Sequence, residues 1–134
     1  PCRCPCRAAP DLVPAGDLIV EPALLIGIGG AAGSLIRYEI SKLRAFRGIP
    51  LGTLAVNILG SFAFSLIVFS HAPDDMLFLV GTGGLGGFTT FSTFSYETFR
   101  LLENHDYYTM GVNILSNAGG SIIAVFLGYC IITM

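Results

Sequence analysis

The sequence predicts an all-α membrane protein of four transmembrane helices, the third of them broken at mid-membrane. Three observations carry that prediction. The 134-residue chain is 53% hydrophobic and only 12% charged, about half the charged share of a soluble domain. Its 7 Lys/Arg and 9 Asp/Glu residues are confined to a few short segments, which leaves long uncharged stretches between them. One of those stretches contains a glycine cluster followed at once by a run of hydroxyl residues. A very hydrophobic soluble bundle is a poor alternative, because four such stretches leave almost no polar surface to cover them.

The elements follow from where the charges stop. No Asp, Glu, Lys or Arg occurs from Ile49 to Pro73, from Met76 to Tyr96, or from Tyr107 to Met134. A fourth uncharged stretch, Pro22 to Ile36, extends back through Leu18-Ile19-Val20 if Glu21 lies at the interface. A bilayer core of about 30 Å needs about 20 helical residues. This places helices at about 18–42, 51–70, 75–102 and 108–133. The first stretch is a poor cleavable leader: acids precede its apolar run, which continues into a Gly/Ala-rich helix. Residues 1–17 are expected to be a disordered tail. Cys2, Cys4 and Cys6 have a spacing that a soft metal could use, but Pro1, Pro5 and Pro10 make a fixed tetrahedral site hard to build among them. Cys130 reads as packing in the last helix. Val56-Asn57-Ile58-Leu59 recurs as Val112-Asn113-Ile114-Leu115, too short an echo to establish an inverted repeat.

Charge placement bears on orientation and partners. Lys42, Arg44 and Arg47 lie between the first two helices, and Arg100 falls on the same side. Only Arg3 and Arg7 oppose them, with Asp74 and Asp75. The excess of Lys and Arg leans toward a cytoplasmic 42–50 loop. A net charge of −2 and a pI of about 5.5 remove the electrostatic case for nucleic-acid binding. Four thin helices enclose little, so a pore or cavity calls for a second copy.

Polar groups within spans need a reason, because an unpaired one costs several kcal/mol in lipid. The densest set is Gly81-Thr82-Gly83-Gly84-Leu85-Gly86-Gly87-Phe88-Thr89-Thr90-Phe91-Ser92-Thr93-Phe94-Ser95. Glycines packed this closely disfavour a straight helix, so a break is expected near the middle of the third span. Carbonyls freed there could coordinate a small cation, and a half-helix N-terminus could favour an anion. The competing reading, close helix packing on glycine, explains glycines spaced four apart but not a cluster followed by hydroxyls. Phe91 and Phe94 share a helix face. Their positive ring edges could touch an anion, and without that context they would read as lipid or core contacts. Asn57 sits mid-span in the second helix. Asn113, Asn117 and Ser121 recur at spacing four in the last, as one drifting stripe. Uncharged donors suit an anion that must leave water, and interhelical hydrogen bonding accounts for them equally well. Arg37 and Glu97 are the ionisable groups nearest the interior. No nucleophile–base set, phosphate loop or zinc pattern occurs, so no enzyme is indicated.

Three blocks, taken in order, resemble the CrcB/Fluc family of fluoride channels. They are Gly29-Gly30-Ala31-Ala32-Gly33-Ser34-Leu35-Ile36-Arg37-Tyr38, Gly52-Thr53-Leu54-Ala55-Val56-Asn57-Ile58-Leu59-Gly60-Ser61, and Gly86-Gly87-Phe88-Thr89-Thr90-Phe91-Ser92-Thr93-Phe94-Ser95-Tyr96-Glu97-Thr98. The match covers about residues 24–130. It implies a passive fluoride channel of the cell membrane that lowers cytoplasmic fluoride. It further implies an antiparallel, dual-topology dimer with two pores and a central structural Na+. By motif position, Phe91 and Phe94 match the pore phenylalanines and Asn57 the pore asparagine. Gly86 and Thr89 match the residues whose backbone carbonyls hold Na+. Asn113, Asn117 and Ser121 fall on the polar track, where two amides depart from the family pattern. Thr53 and Glu97 are expected along the ion path, and Arg37 matches a family arginine. The Lys/Arg bias leaves two assemblies open, a dual-topology homodimer and a heterodimer with an oppositely oriented homologue. A small proton-coupled exporter is disfavoured by the lack of a mid-span carboxylate and of tryptophan. A non-transporting assembly factor would leave the Gly/Thr/Ser/Phe block unexplained.

Overall fold

A computed structural model describes residues 15–42 and 48–134, with side chains from residue 22 onward. The Cys2/Cys4/Cys6 segment, Arg44 and Arg47 therefore lie outside the described residues. Helix α1 runs from Ala15 to Ser41 and carries Pro22; its apolar stretch is Pro22–Ser41. Helix α2 is Leu51–Phe69, entered from Pro50 in extended conformation. The third span is two half-helices. The first, α3, covers residues 74–88: a helical turn at Asp74–Met76, a π-helical stretch over Leu77–Leu85 and a last turn at Gly86–Phe88. The second, α4, is Phe91–Glu103. Helix α5 is Tyr107–Thr133. Among the described residues, α1, α2 and α5 are each long and apolar enough to cross a bilayer. With 13 residues in α4, at about 1.5 Å per residue, neither half of the third span crosses alone.

The third span is broken, though not where the glycines suggested. The chain stays helical through Gly87 and opens at Thr89 and Thr90, whose backbones are extended (φ −77°, ψ 158° and φ −147°, ψ 119°). The glycines have a different task. Carbonyl oxygens of α3 lie where side chains of α1 would be: a Cβ on Gly29 would run into Leu79 O, and one on Gly33 into Gly84 O. The reverse also holds, since a Cβ on Gly83 would come to 2.6 Å from Ile26 O and one on Gly87 would collide with Gly30 O. Contacts this close let Cα–H groups meet carbonyls across the pair. Packing of small residues thus explains the glycines, and the break belongs to the hydroxyl residues that follow them.

α1 packs mainly along α3, and α2 along α5. The interior between them is small and polar. Val56 and Ala124 are its buried apolar side chains, whereas Thr53, Ser65, Thr90, Thr109, Asn113 and Asn117 are also buried. Large apolar residues such as Leu35, Leu115 and Ile122 face outward. This inversion suits a lipid surround, where apolar side chains gain nothing by turning inward and polar ones must pair.

The helix ends are set locally. Asp106 caps α5 by accepting a hydrogen bond from Thr109 N at 3.1 Å. His105 N donates to Leu102 O and Asp106 N to Leu101 O, both at 3.0 Å, which is the Schellman arrangement at the end of α4. His105 fills the left-handed position usually given to glycine, with φ 56°. The Lys42–Glu39 ion pair at 2.8 Å is exposed and contributes little.

Candidate functional site

The site forms around the break. Extended peptides at membrane depth need hydrogen-bond partners, and α2 supplies them. Asn57 Oδ1 accepts from Thr90 N at 2.9 Å, and Asn57 Nδ2 donates to Thr90 O at 3.2 Å. One side-chain amide thereby satisfies both polar groups of a single peptide residue. Asn57 Nδ2 also donates to Asn117 Oδ1 at 3.1 Å. Asn117 Nδ2 donates in turn to Asn113 Oδ1 at 3.0 Å and Asn113 O at 3.1 Å. Asn113 Nδ2 donates to Thr98 Oγ1 at 3.0 Å, and Thr98 Oγ1 to Phe94 O at 2.8 Å. The chain of bonds leaves the N-cap of α4 at Thr90, passes through α2 and α5, and returns to α4 at Thr98, about two turns later.

A cleft of about 340 Å³ opens beside this network, lined by Asn57, Ser61, Thr89, Thr90, Phe91, Phe94, Asn117, Ala118 and Ser121. Phe91 is 79% exposed, and its ring lies 5.9 Å from that of Phe94 at a 48° tilt. The structure therefore gathers Asn57, Phe91, Phe94, Asn117 and Ser121 into one place. Asn113 does not join them: it is 0% exposed and sits behind Asn117. Thr53 and Glu97 meet elsewhere, with Thr53 Oγ1 donating to Glu97 Oε1 at 2.8 Å. Glu97 Oε2 is buried without a partner among the described residues. Thr53 also borders a second polar chamber of about 240 Å³ with Ser34, Arg37, Tyr38, Ser41, Val56, Thr90 and Thr93. Thr90, clamped to Asn57, borders both cavities.

Gly86 and Thr89 line a third hollow of about 390 Å³ with Gly60, Ser61, Thr82 and Leu85. Among the described residues, Gly86 O and Thr89 O lack the helical bonds from Thr90 N and Thr93 N, which donate to Asn57 Oδ1 and Thr90 Oγ1 instead, and nothing lies within 4 Å of the Cβ position of Gly86. Neutral, unpartnered carbonyl oxygens are suitable ligands for a hard cation. The residues present thus fit the ion that the resemblance implied, and its charge would offset the partial negative charge of those carbonyls.

Two residues of this network escaped the sequence reading as site candidates. Thr90 was legible in principle, since a threonine before an apolar helical run is an N-cap signal. Its Oγ1 does accept from Thr93 N, at 3.2 Å. Thr98 had no signal, because its role exists only opposite Asn113.

A small multi-pass membrane protein with a broken span and a cleft of ring edges and uncharged donors at the break has the architecture of an ion pathway. The chain belongs to the family described as CrcB-like protein, Camphor Resistance (CrcB), whose model matches residues 24–129. The chain is 46% identical over 110 residues to the fluoride-specific ion channel FluC of Methanococcus vannielii, covering 78% of this chain and 89% of that one. It is 43% identical to FluC 3 of Methanosarcina acetivorans, covering 78% of this chain and 96% of the relative. FluC 1 of the same organism is 45% identical, with coverage of 78% and 86%.

Proposed function

We propose that this chain is one subunit of a fluoride-selective passive channel that exports fluoride from the cell. The cleft at the break carries the reading: two phenylalanine rings, two asparagine side chains and two serine hydroxyls, Ser61 and Ser121, meet where the third span opens. Conduction needs groups that replace an anion's water yet release it. Ring edges and neutral donors do so, whereas an ammonium would hold fluoride too hard. The names of the relatives, matched over most of their length, support fluoride as the ion.

In this reading Phe91, Phe94 and Ser121 contact the ion directly, and Asn57 and Asn117, whose amide hydrogens are engaged by Thr90, Asn117 and Asn113, reach it by exchanging one of those bonds for the ion. Thr53, Glu97 and Arg37 lie on the Arg37 side of the Thr90 clamp, where the guanidinium would draw anions. Asn113 supports the track from behind. The carbonyls of Gly86 and Thr89 would hold a structural Na+. One chain offers too few oxygens for the ion, so a second, antiparallel chain would complete the set and give two pores per dimer. Homodimer and heterodimer both remain open. The Lys/Arg bias and the paired FluC 1 and FluC 3 relatives of one organism favour the heterodimer.

The test is fluoride efflux from liposomes holding the purified chain alone, read by a fluoride electrode beside a chloride control. Fast fluoride release without chloride release is expected if one chain suffices. No release from a folded sample, alone or co-expressed with an oppositely charged homologue, would overturn the proposal.

A further inference from the structure

We infer that Thr90 is a positioning residue of the cation site: its hydroxyl frees the Thr89 carbonyl by holding the Thr93 N–H that would otherwise occupy it, while Asn57 holds the Thr90 N–H away from the Gly86 carbonyl. The inference rests on the proposed cation site and adds the reason that site exists.

In an unbroken helix each carbonyl accepts from the N–H four residues on. The partner of Gly86 O would be Thr90 N, and the partner of Thr89 O would be Thr93 N. Neither bond forms. Thr90 N donates to Asn57 Oδ1 at 2.9 Å, and Thr93 N donates to Thr90 Oγ1 at 3.2 Å. The Thr90 hydroxyl thus governs the loss at Thr89 O, and the Asn57 side chain the loss at Gly86 O. The hydroxyl is held in place, since it also donates to Thr93 Oγ1 at 3.0 Å and the side chain is buried. A threonine that caps α4 therefore also leaves unpaired acceptors on the preceding turn, where a cation can replace the missing donors.

Capping alone would make Thr90 a stability residue; carbonyl release makes it a determinant of cation retention. The two separate experimentally. Without the hydroxyl, Thr93 N is free to return to Thr89 O, and the carbonyl ceases to be a free ligand. Serine keeps the hydroxyl and valine removes it at nearly constant shape.

The experiment uses the full chain purified in sodium chloride and exchanged into sodium-free choline chloride. Retained sodium is measured by atomic emission, and the melting temperature is followed as sodium chloride is titrated back. Wild type and Thr90→Ser are expected to retain sodium or to be stabilised by it, and Thr90→Val to need at least about tenfold more sodium for the same shift. Thr90→Ala serves in the same way if the valine variant does not fold. Sodium retention and stabilisation in Thr90→Val equal to wild type would overturn the positioning role while leaving the cation site standing. A wild type that neither retains sodium nor responds to it would overturn the cation site itself, and the positioning role with it.

Discussion

Asn57→Asp tests the centre of the proposed pore. Asn57 makes three bonds: it accepts from Thr90 N at 2.9 Å and donates to Thr90 O at 3.2 Å and Asn117 Oδ1 at 3.1 Å. A carboxylate keeps the first and loses both donors. Two carbonyl oxygens are then left facing another acceptor in a half-buried setting. An unsatisfied buried acceptor costs about 1–3 kcal/mol, so the variant loses about 2–6 kcal/mol of stability. The added charge acts on the ion as well. At about 4 Å and an effective dielectric of about 20, repulsion is about 4 kcal/mol, which slows passage of an anion about 10³-fold. The assay is liposome efflux by fluoride electrode, with size-exclusion chromatography to confirm assembly. Efflux within tenfold of wild type from an intact sample would refute both the placement of Asn57 on the ion path and the arithmetic.

Phe91→Ile removes a ring edge from a side chain that is largely exposed in the single chain; fluoride efflux is expected to fall to background while the unfolding midpoint of the monomer is unchanged. Gly33→Ala drives a Cβ into Gly84 O and is expected to cost about 1–3 kcal/mol as overpacking. Gly27→Ala, which meets nothing within 4 Å, is expected to be neutral or to stabilise by up to about 1 kcal/mol; chemical unfolding in detergent compares the two, and equal stabilities would discount the α1–α3 contact. His105→Gly relieves a left-handed residue at φ 56° and should stabilise by up to about 1 kcal/mol, read as a raised melting temperature. Hydrogen bonds from Thr109, hydroxyl first and backbone amide second, hold the Asp106 carboxyl below the usual aspartate range. Its folded pKa is thus depressed, so its contribution is fully present above the ordinary aspartate pKa and is lost as pH falls through the lowered value. Melting in acid should therefore fall less steeply for Asp106→Asn than for wild type.

The bilayer explains what the sequence determined by itself. Lipid forbids unpaired charge along a span, so the uncharged stretches and the charges that bound them mark where helices cross and where they stop. The glycine and hydroxyl block announced an irregular third span for the same reason. The exact point of the break was decided by tertiary structure. Glycines at 29, 33, 83 and 87 are fixed by how closely α1 and α3 approach, a fact with no local signature. The opening at Thr89 and Thr90 exists because Asn57, 33 residues away in sequence, offers an acceptor and a donor to the peptide groups released there. The asparagine stripe of the last helix was legible as a stripe, yet its meaning was not. Contact with α4 gives Asn113 to Thr98, and contact with α2 gives Asn117 to Asn57, leaving the cleft edge to Asn57, Asn117 and Ser121. Solvent acts on each segment separately, so its demands can be read along the chain. Hydrogen bonds between helices depend on which faces meet, and only the packed structure fixes that.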